Sequence, residues 1–381
     1  MMPRPDSSGA RLLNYEGRIF AQIKQQKGNA MNANFQYPQV GQARQCFVSV
    51  IAILAALTVG AFVRSAAAQE CKHRGDLDAM YCDENKDLVA DTPKDSKKLK
   101  NPNTIVFTYT PVEDPAVYEK IFQPFTQDLS KCLDKRVVFY QVNSNAAEIE
   151  AMRSGRLHVG GFSTGPTAFA VNIAGAVPFA VKGTEKDYQG YNLLVVVKKA
   201  SPFLKLSDLR GKKVAHTSPS SNSGHMAPLA LFPAEGLTPD KDYKILFSGK
   251  HDQSIMGVNS GDYDAAAVAS DVYHRMASRG QIKEDDFRII YKSNKFPTSS
   301  FAYAHDLDPA LATKLVKCFY DYRFTPEMVK AFDGADRFFP VNFQKDWEVV
   351  RRVAAGSGEV FNRSAYEKQT AKEAEAAKTK K

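Results

Sequence analysis

From residue 105 the chain alternates short β-branched and aromatic runs with stretches of helical periodicity, and it runs through that alternation twice. Ile105-Val106-Phe107-Thr108-Tyr109 reads as a strand. Residues 117–133 then set Ile121, Phe125, Leu129 and Leu133 at helical spacing. A second strand follows at 137–140, a helix at 145–154 with Ile149 and Met152 inward, and a third strand at 157–160. The second round has strands at 191–197, 213–216, 243–247, 264–268 and 287–291, with helices at 224–232, 251–259 and 270–278. Strands separated by helix-length segments belong to parallel α/β sheets. The pattern predicts two α/β lobes, the first from 104–190 and the second from 191–298. The segment 299–345 holds a strand at 300–304 and a helix at 309–321, too little for a lobe, so it returns to the first. A lobe made of separated pieces forces repeated crossings, which creates a hinge and a ligand cleft. Residues 346–381 form a last helix and a charged tail. The tail from 364 reads as a solvated helix or as disordered, because it is rich in Ala, Glu and Lys without apolar anchors.

The chain has 381 residues and a formal charge of +9, but the excess is local. Residues 1–68 carry 7 basic and 2 acidic side chains, which leaves 44 against 40, a net of +4, for the rest. A basic footprint for nucleic acid is therefore not expected on the body. Within 1–68, Phe47 to Val63 is an uncharged run of 17 residues, preceded by Arg44 and followed by Ala66-Ala67-Ala68. Basic flank, apolar run and small-residue site read as a secretory signal with a long n-region, cut after Ala68. An uncleaved anchor is the alternative, at the lower length limit for a span. The mature chain then begins with a polar arm, 69–103, in the periplasm.

Export changes the cysteine arithmetic. Cys46 precedes the apolar run, so Cys71, Cys82, Cys132 and Cys318 remain. An even number in an oxidising compartment suggests two disulfides. Cys71–Cys82 closes a short loop, which leaves Cys132–Cys318. No Cys pair has C-x-x-C spacing and no Walker lysine loop is present, so neither metal nor cofactor is expected.

Two loops share one chemical character. Gly161-Phe162-Ser163-Thr164-Gly165-Pro166 leads into an apolar run, and Thr217-Ser218-Pro219-Ser220-Ser221-Asn222-Ser223-Gly224 leads into a helix. Each brings backbone N–H groups, hydroxyls and a helix dipole to one point, which suits a tetrahedral oxyanion. Either alone would pass for an ordinary helix cap. His251-Asp252, Asp271 and Tyr109 stand at strand ends, where ligands bind in open α/β sheets. The first loop is also a literal G-x-S-x-G, so a secreted serine hydrolase using Ser163 is a rival reading. It lacks an upstream HGGG-type segment and gives the second loop no purpose.

Taken in order, Tyr109-x-Pro111-x3-Pro115, Arg153 to Val159 leading into Gly165-Pro166, Ser221-Asn222-Ser223-Gly224, Gly249-Lys250-His251-Asp252 and Gly261 to Ala266 form a familiar series. Over about 104–345 the chain resembles the phosphate, phosphite and phosphonate-binding periplasmic proteins of ABC importers. The resemblance implies a two-lobed α/β periplasmic-binding-protein fold, type II-like, closing over a ligand between the lobes. It implies a binding protein and not an enzyme: a monomer that delivers a small phosphorus oxyanion to a membrane permease. The oxyanion would sit on Ser220, Ser221, Asn222 and Ser223, helped by Ser163, Thr164, Tyr109, His251 and Asp252. Asp271 maps to a carboxylate that would hold the ammonium of 2-aminoethylphosphonate, with phosphate and phosphite as alternatives. Two positions depart from the family pattern. Asn222 stands where Thr is common, and Phe169 where Tyr is common.

Overall fold

A computed structural model describes residues 71–378. The expected signal, its cleavage site and Cys46 lie outside the described residues. No helix among the described residues is long and apolar enough to cross a membrane.

The strands sort into two sheets. The first joins β1 (Thr104–Tyr109), β2 (Arg136–Phe139), β3 (Val159–Phe162) and β4 (Ala176–Gly183) with β10 (Ser300–Ala304) and β11 (Arg337–Pro340), in the order β11-β4-β10-β3-β1-β2. The second holds β5 (Gly190–Lys198), β6 (Lys213–His216), β7 (Lys244–Phe247), β8 (Ala265–Ala269) and β9 (Phe287–Pro297), in the order β7-β6-β8-β5-β9. Each sheet is mixed. β1 pairs parallel with β2 and β3, and β6 with β7 and β8, whereas β10 and β5 run antiparallel to their neighbours. The chain leaves the first sheet after β4 and returns to it after β9, which makes two crossings.

Most helices take the sequence-expected places. The segment 326–331 is helical although the pattern predicts no helix there, and the helix expected at 224–232 is broken into a π-helical turn (Asn222–Met226), a five-residue α-helix and a 3-10 turn (Phe232–Glu235). The α-helices are α1 (Pro115–Leu133), α2 (Asn145–Arg153), α3 (Thr164–Ala174), α4 (Ala227–Leu231), α5 (His251–Ser260), α6 (Ser270–Ser278), α7 (Pro309–Asp321), α8 (Pro326–Ala331), α9 (Phe343–Asp346), α10 (Glu348–Gly356) and α11 (Arg363–Lys378). Phe122, Phe125 and Leu129 turn the inner face of α1 onto Phe107 of β1, within an aromatic cluster that includes Phe301, Phe319 and Phe338. Edge-to-face rings in this cluster add to plain area burial. The returning segment thus supplies half of the first lobe's core. Cys132 on α1 and Cys318 on α7 are bonded, with Cα atoms 6.0 Å apart, and Cys71 is bonded to Cys82.

Four further local readings differ from the sequence pattern. Pro178 hides β4, because proline rarely sits inside a sheet. Here it falls at a register shift opposite Phe301 and Ala302, where a ladder bond is already missing. β3 runs on through Gly160 and Gly161, past the expected end at 160, because neighbouring rings replace the absent side chains. A Cβ on Gly161 would collide with the Tyr109 ring. The tail reading is corrected as well. Helix α11 is not solvated on all sides, since Ala365, Tyr366 and Gln369 are buried. The expected arm also packs down, with Leu77 and Tyr81 buried in the core and the Tyr81 hydroxyl donating to the Ile173 carbonyl at 3.4 Å.

The Cys132–Cys318 link spans 186 residues and ties the two separated pieces of the first lobe. Cys132→Ser is expected to cost about 2–5 kcal/mol of stability, read as a lower urea midpoint, with a steeper slope because the freed unfolded chain exposes more surface. No loss of stability would show that the cross-link does not constrain the unfolded chain.

Candidate ligand-binding site

Four helices and one wide turn begin on the wall of a single cavity between the sheets. Helix α2 starts at Asn145, α3 after Ser163, α5 after Lys250 and α6 after Ala269, and the π-helical turn Asn222–Met226 starts after Ser221. All of these residues except Met226 stand on the wall of the cavity, whose volume is about 40 Å³. Ser163, Lys250 and Ala269 offer no side-chain cap to their helices. First-turn N–H groups left without side-chain caps, at the positive ends of several dipoles, make an anion site. The donors are there because each strand–helix turn of an α/β unit ends at the same edge of its sheet.

The two serine-rich loops meet. A Cβ on Gly165 would fall inside contact distance of the Ser220 carbonyl oxygen and the Asn222 nitrogen, so only glycine allows this approach. Asn145 bridges the lobes. Its Nδ2 donates to Ser220 Oγ at 3.2 Å and Ser218 Oγ at 3.4 Å, and its Oδ1 accepts from Thr110 Oγ1 at 3.1 Å and Ser163 Oγ at 3.4 Å. The cleft is therefore in a closed arrangement. Ser163 spends its hydroxyl on Asn145, where a hydrolytic nucleophile needs a histidine.

Of the sequence-expected residues, Ser163, Thr164, Ser221, Asn222, Ser223, His251 and Asp271 line this cavity. Thr164 Oγ1 donates to the Pro297 carbonyl at 2.8 Å, which ties the first loop to the second crossing. His251 Nδ1 accepts from the Ala269 amide at 3.1 Å, which leaves Nε2–H as the ring's donor. Burial holds its pKa down at about 4, so it is a neutral donor. Tyr109, Ser220 and Asp252 are not on this wall. Tyr109 accepts from Lys182 Nζ at 2.7 Å within the aromatic core. Ser220 turns its hydroxyl to Glu373 at 3.1 Å. Asp252 accepts from the Gln253 amide at 2.8 Å, and burial raises its carboxyl pKa.

Asp271 is already partnered. Its Oδ2 accepts from Arg275 Nη1 at 2.9 Å, and Arg275 and Lys182 outweigh burial to hold its carboxyl below the usual range. Arg275 also donates to Glu113 Oε1 at 2.9 Å, and Arg279 to Glu113 Oε2 at 2.6 Å. Two carboxylates thus face three cations, Arg275, Arg279 and Lys182, beside the cavity. Sequence reading missed Asn145, Tyr191 and Thr217. Tyr191 accepts from Asn222 Nδ2 at 3.1 Å, while Asn222 Oδ1 and Thr217 Oγ1 are buried without a hydrogen-bond partner. Only Thr217 carried a signal, as the first residue of the hydroxyl-rich loop.

A sequence profile described as ABC transporter, phosphonate, periplasmic substrate-binding protein matches residues 107–347. The chain belongs to this family. It is 29% identical over 245 residues to the phosphate-import protein PhnD of Mycolicibacterium smegmatis, covering 60% of this chain and 75% of that protein. It is 24% identical over 208 residues to the phosphonates-binding periplasmic protein of Escherichia coli, covering 54% and 62%. The structure of PhnD1 from Prochlorococcus marinus in complex with methylphosphonate shares its fold, with a TM-score of 0.61 and 20% identity over 68% of this chain and 100% of that one. A phosphonate-transporter binding protein from Pseudomonas aeruginosa gives a TM-score of 0.60 at 21% identity, covering 72% and 96%. The two-lobed binding-protein fold is thereby established, and the chain is a periplasmic substrate-binding component of an ABC transporter of the phosphonate-binding family. Binding proteins of this kind are not enzymes, and the family implies a permease partner.

Two outcomes follow for this binding protein. Gly165→Ala should hold the loops apart. Overpacking of this kind costs about 1–3 kcal/mol, roughly tenfold or more in ligand affinity by calorimetry; undiminished affinity would contradict the loop contact. Behind the second loop, His225 Nδ1 and His216 Nδ1 share a hydrogen bond of 2.9 Å, and burial brings His225 down from 6.5 to about 3. The unfolded chain binds a proton there that the folded chain refuses. Stability from this group is intact above about pH 6.5 and is lost as the pH falls towards about 3. His225→Gln should flatten the fall in stability between those limits, measured by urea titration at each pH. An unchanged slope would show that His225 is not a source of acid sensitivity.

Proposed function

We propose that the cavity captures a small phosphorus oxyanion and presents it to an ABC importer, with the oxygens on Ser221, Asn222, Ser223, Ser163 and Thr164 and the neutral His251 Nε2–H as a further donor. The observation that carries this reading is the convergence of helix starts from both lobes on one cavity wall. Thr217 Oγ1, buried and unpartnered, adds a hydroxyl that an oxyanion would satisfy. An excess of cations among Arg275, Arg279, Lys182, Glu113 and Asp271 favours a dianion over a neutral solute.

Within that class our choice is 2-aminoethylphosphonate. Asp271 was the expected seat of its ammonium, on the argument that a buried carboxylate needs a partner. Arg275 supplies that partner internally, so the case for the amine needs a second carboxyl. Phosphate, phosphite or methylphosphonate is the alternative. The M. smegmatis relative is named for phosphate import.

The double variant Ser221→Ala/Ser223→Ala tests the site. A ligand bound by the native state alone raises the melting temperature by mass action. Wild type should gain stability with methylphosphonate or phosphate, and the double variant should lose most of the gain. An equal shift in the double variant would place the anion elsewhere.

A further inference from the structure

Helix α11 lies beyond residue 347, where the family match ends, yet it is built into the cleft. Its first turns are fastened to the first lobe. Asn172 Nδ2 donates to the Phe361 carbonyl at 2.8 Å, and the Tyr366 hydroxyl donates to the Ala146 carbonyl at 3.1 Å. Phe361 and Tyr366 pack on Phe169 with ring centroids 5.0 and 6.1 Å away, so the phenylalanine that departs from the family pattern is the seat of this helix. Arg363 adds an ion pair to Asp78 at 2.6 Å. Tyr366, Gln369 and Glu373 recur at i, i+3 and i+7, which puts them on one face. At the end of that face Glu373 reaches the second lobe, where its Oε1 accepts from Ser220 Oγ at 3.1 Å.

A larger cavity, of about 280 Å³, adjoins the first. Pro111, Asn145, Thr217, Ser218, Gly249 and Lys250 stand on the walls of both. An oxyanion seated in the inner cavity would therefore send its substituent into the outer one. Among the described residues, Lys250 and Glu373 are the charged side chains on the outer wall. Lys250 also borders the oxyanion cavity. Glu373 has one oxygen buried without a hydrogen-bond partner. A carboxyl in that position gains from a cation.

We propose that Glu373, carried across the cleft by the C-terminal helix, is a specificity-determining residue that takes the ammonium of an aminoalkyl substituent in the outer chamber. This rests on the oxyanion reading of the inner cavity and moves the ammonium contact from Asp271 to Glu373. Burial, partly offset by Ser220, holds the Glu373 carboxyl at about 7. A bound ammonium would draw it fully into the ionised form.

Calorimetry on the full mature chain with methylphosphonate, ethylphosphonate and 2-aminoethylphosphonate tests the idea. Wild type should bind the amino compound roughly tenfold or more tightly than ethylphosphonate. Glu373→Gln should lose that preference while keeping its affinity for methylphosphonate, and Glu375→Gln, a charge change on an exposed position of the same helix, should keep both. Should Glu373→Gln not fold, Glu373→Asp retains the charge with a shorter reach and should show a reduced preference. A wild type without preference overturns the assignment, as does a Glu373 variant that keeps the full preference. Equal weakening of all three ligands in Glu373→Gln also overturns it, since the glutamate would then act on closure alone. Failure of wild type to bind any of the three, or phosphate or phosphite run alongside them, would instead overturn the oxyanion reading beneath it.

Discussion

The closed cleft depends on a buried ionic contact between the lobes. Glu113 precedes α1 in the first lobe and receives two arginines from the second, Arg275 on α6 and Arg279 at the C-cap of that helix. The Glu113 and Arg275 side chains are only 3% and 2% exposed. Taking such charges out of water is costly unless every partner is in place. Tyr118 supplies the remaining donor, with its hydroxyl 2.7 Å from Glu113 Oε1, and Arg275 spends a second arm on Asp271. These contacts form only when α6 lies against the loop before α1, and they leave Arg279 Nη2 buried without a hydrogen-bond partner. That geometry also brings His251, Ala269 and Asp271 onto the same wall as Ser163 and Thr164.

On the proposed reading the wall binds an anion mainly through backbone. Helix starts supply donors that do not titrate and that need no reorganisation when an anion arrives. The side chains tune this framework. His251 donates without carrying a charge, because burial keeps it neutral and Ala269 fixes its tautomer. Asn145 holds hydroxyls in register across the cleft, and Asn222 holds the Tyr191 phenol within the second lobe. Cations behind the wall raise the local potential, with Lys182 buried over the rings of Tyr109 and Phe332 at 5.2 and 4.6 Å. Such an arrangement discriminates by charge first and by shape second.

The fold was largely legible in the chain. Periodicity located β1, α1, α2, β5, α5, α6 and α7, because each turns a regular apolar face to a core. It failed where a neighbour overrode local preference. β4 carries a proline that only its pairing with β10 accommodates. The glycines of β3 form a strand because Tyr109, Phe162 and Phe301 fill the space above them. Helix α11 looked solvated because one tyrosine in an Ala/Glu/Lys run is a weak signal, and its meaning comes from Phe169 and Ala146 far back in the chain.

By itself, the sequence determined the class of chemistry: two hydroxyl-rich loops, each at a strand-to-helix turn, in two lobes linked by a chain that crosses back. Those are local properties, set by turn chemistry and by the dipole of the helix that follows. Only the tertiary structure decided which groups face the cavity and which are already spent. Tyr109 and Asp271 look alike to His251 in the sequence, as polar side chains at strand ends. Lys182 occupies the first and Arg275 the second, while the one hydrogen bond His251 accepts leaves its other nitrogen free to donate. Partnering of this kind is long-range, since a buried polar group takes whichever partner the fold brings within about 3 Å, and sequence spacing does not encode that distance.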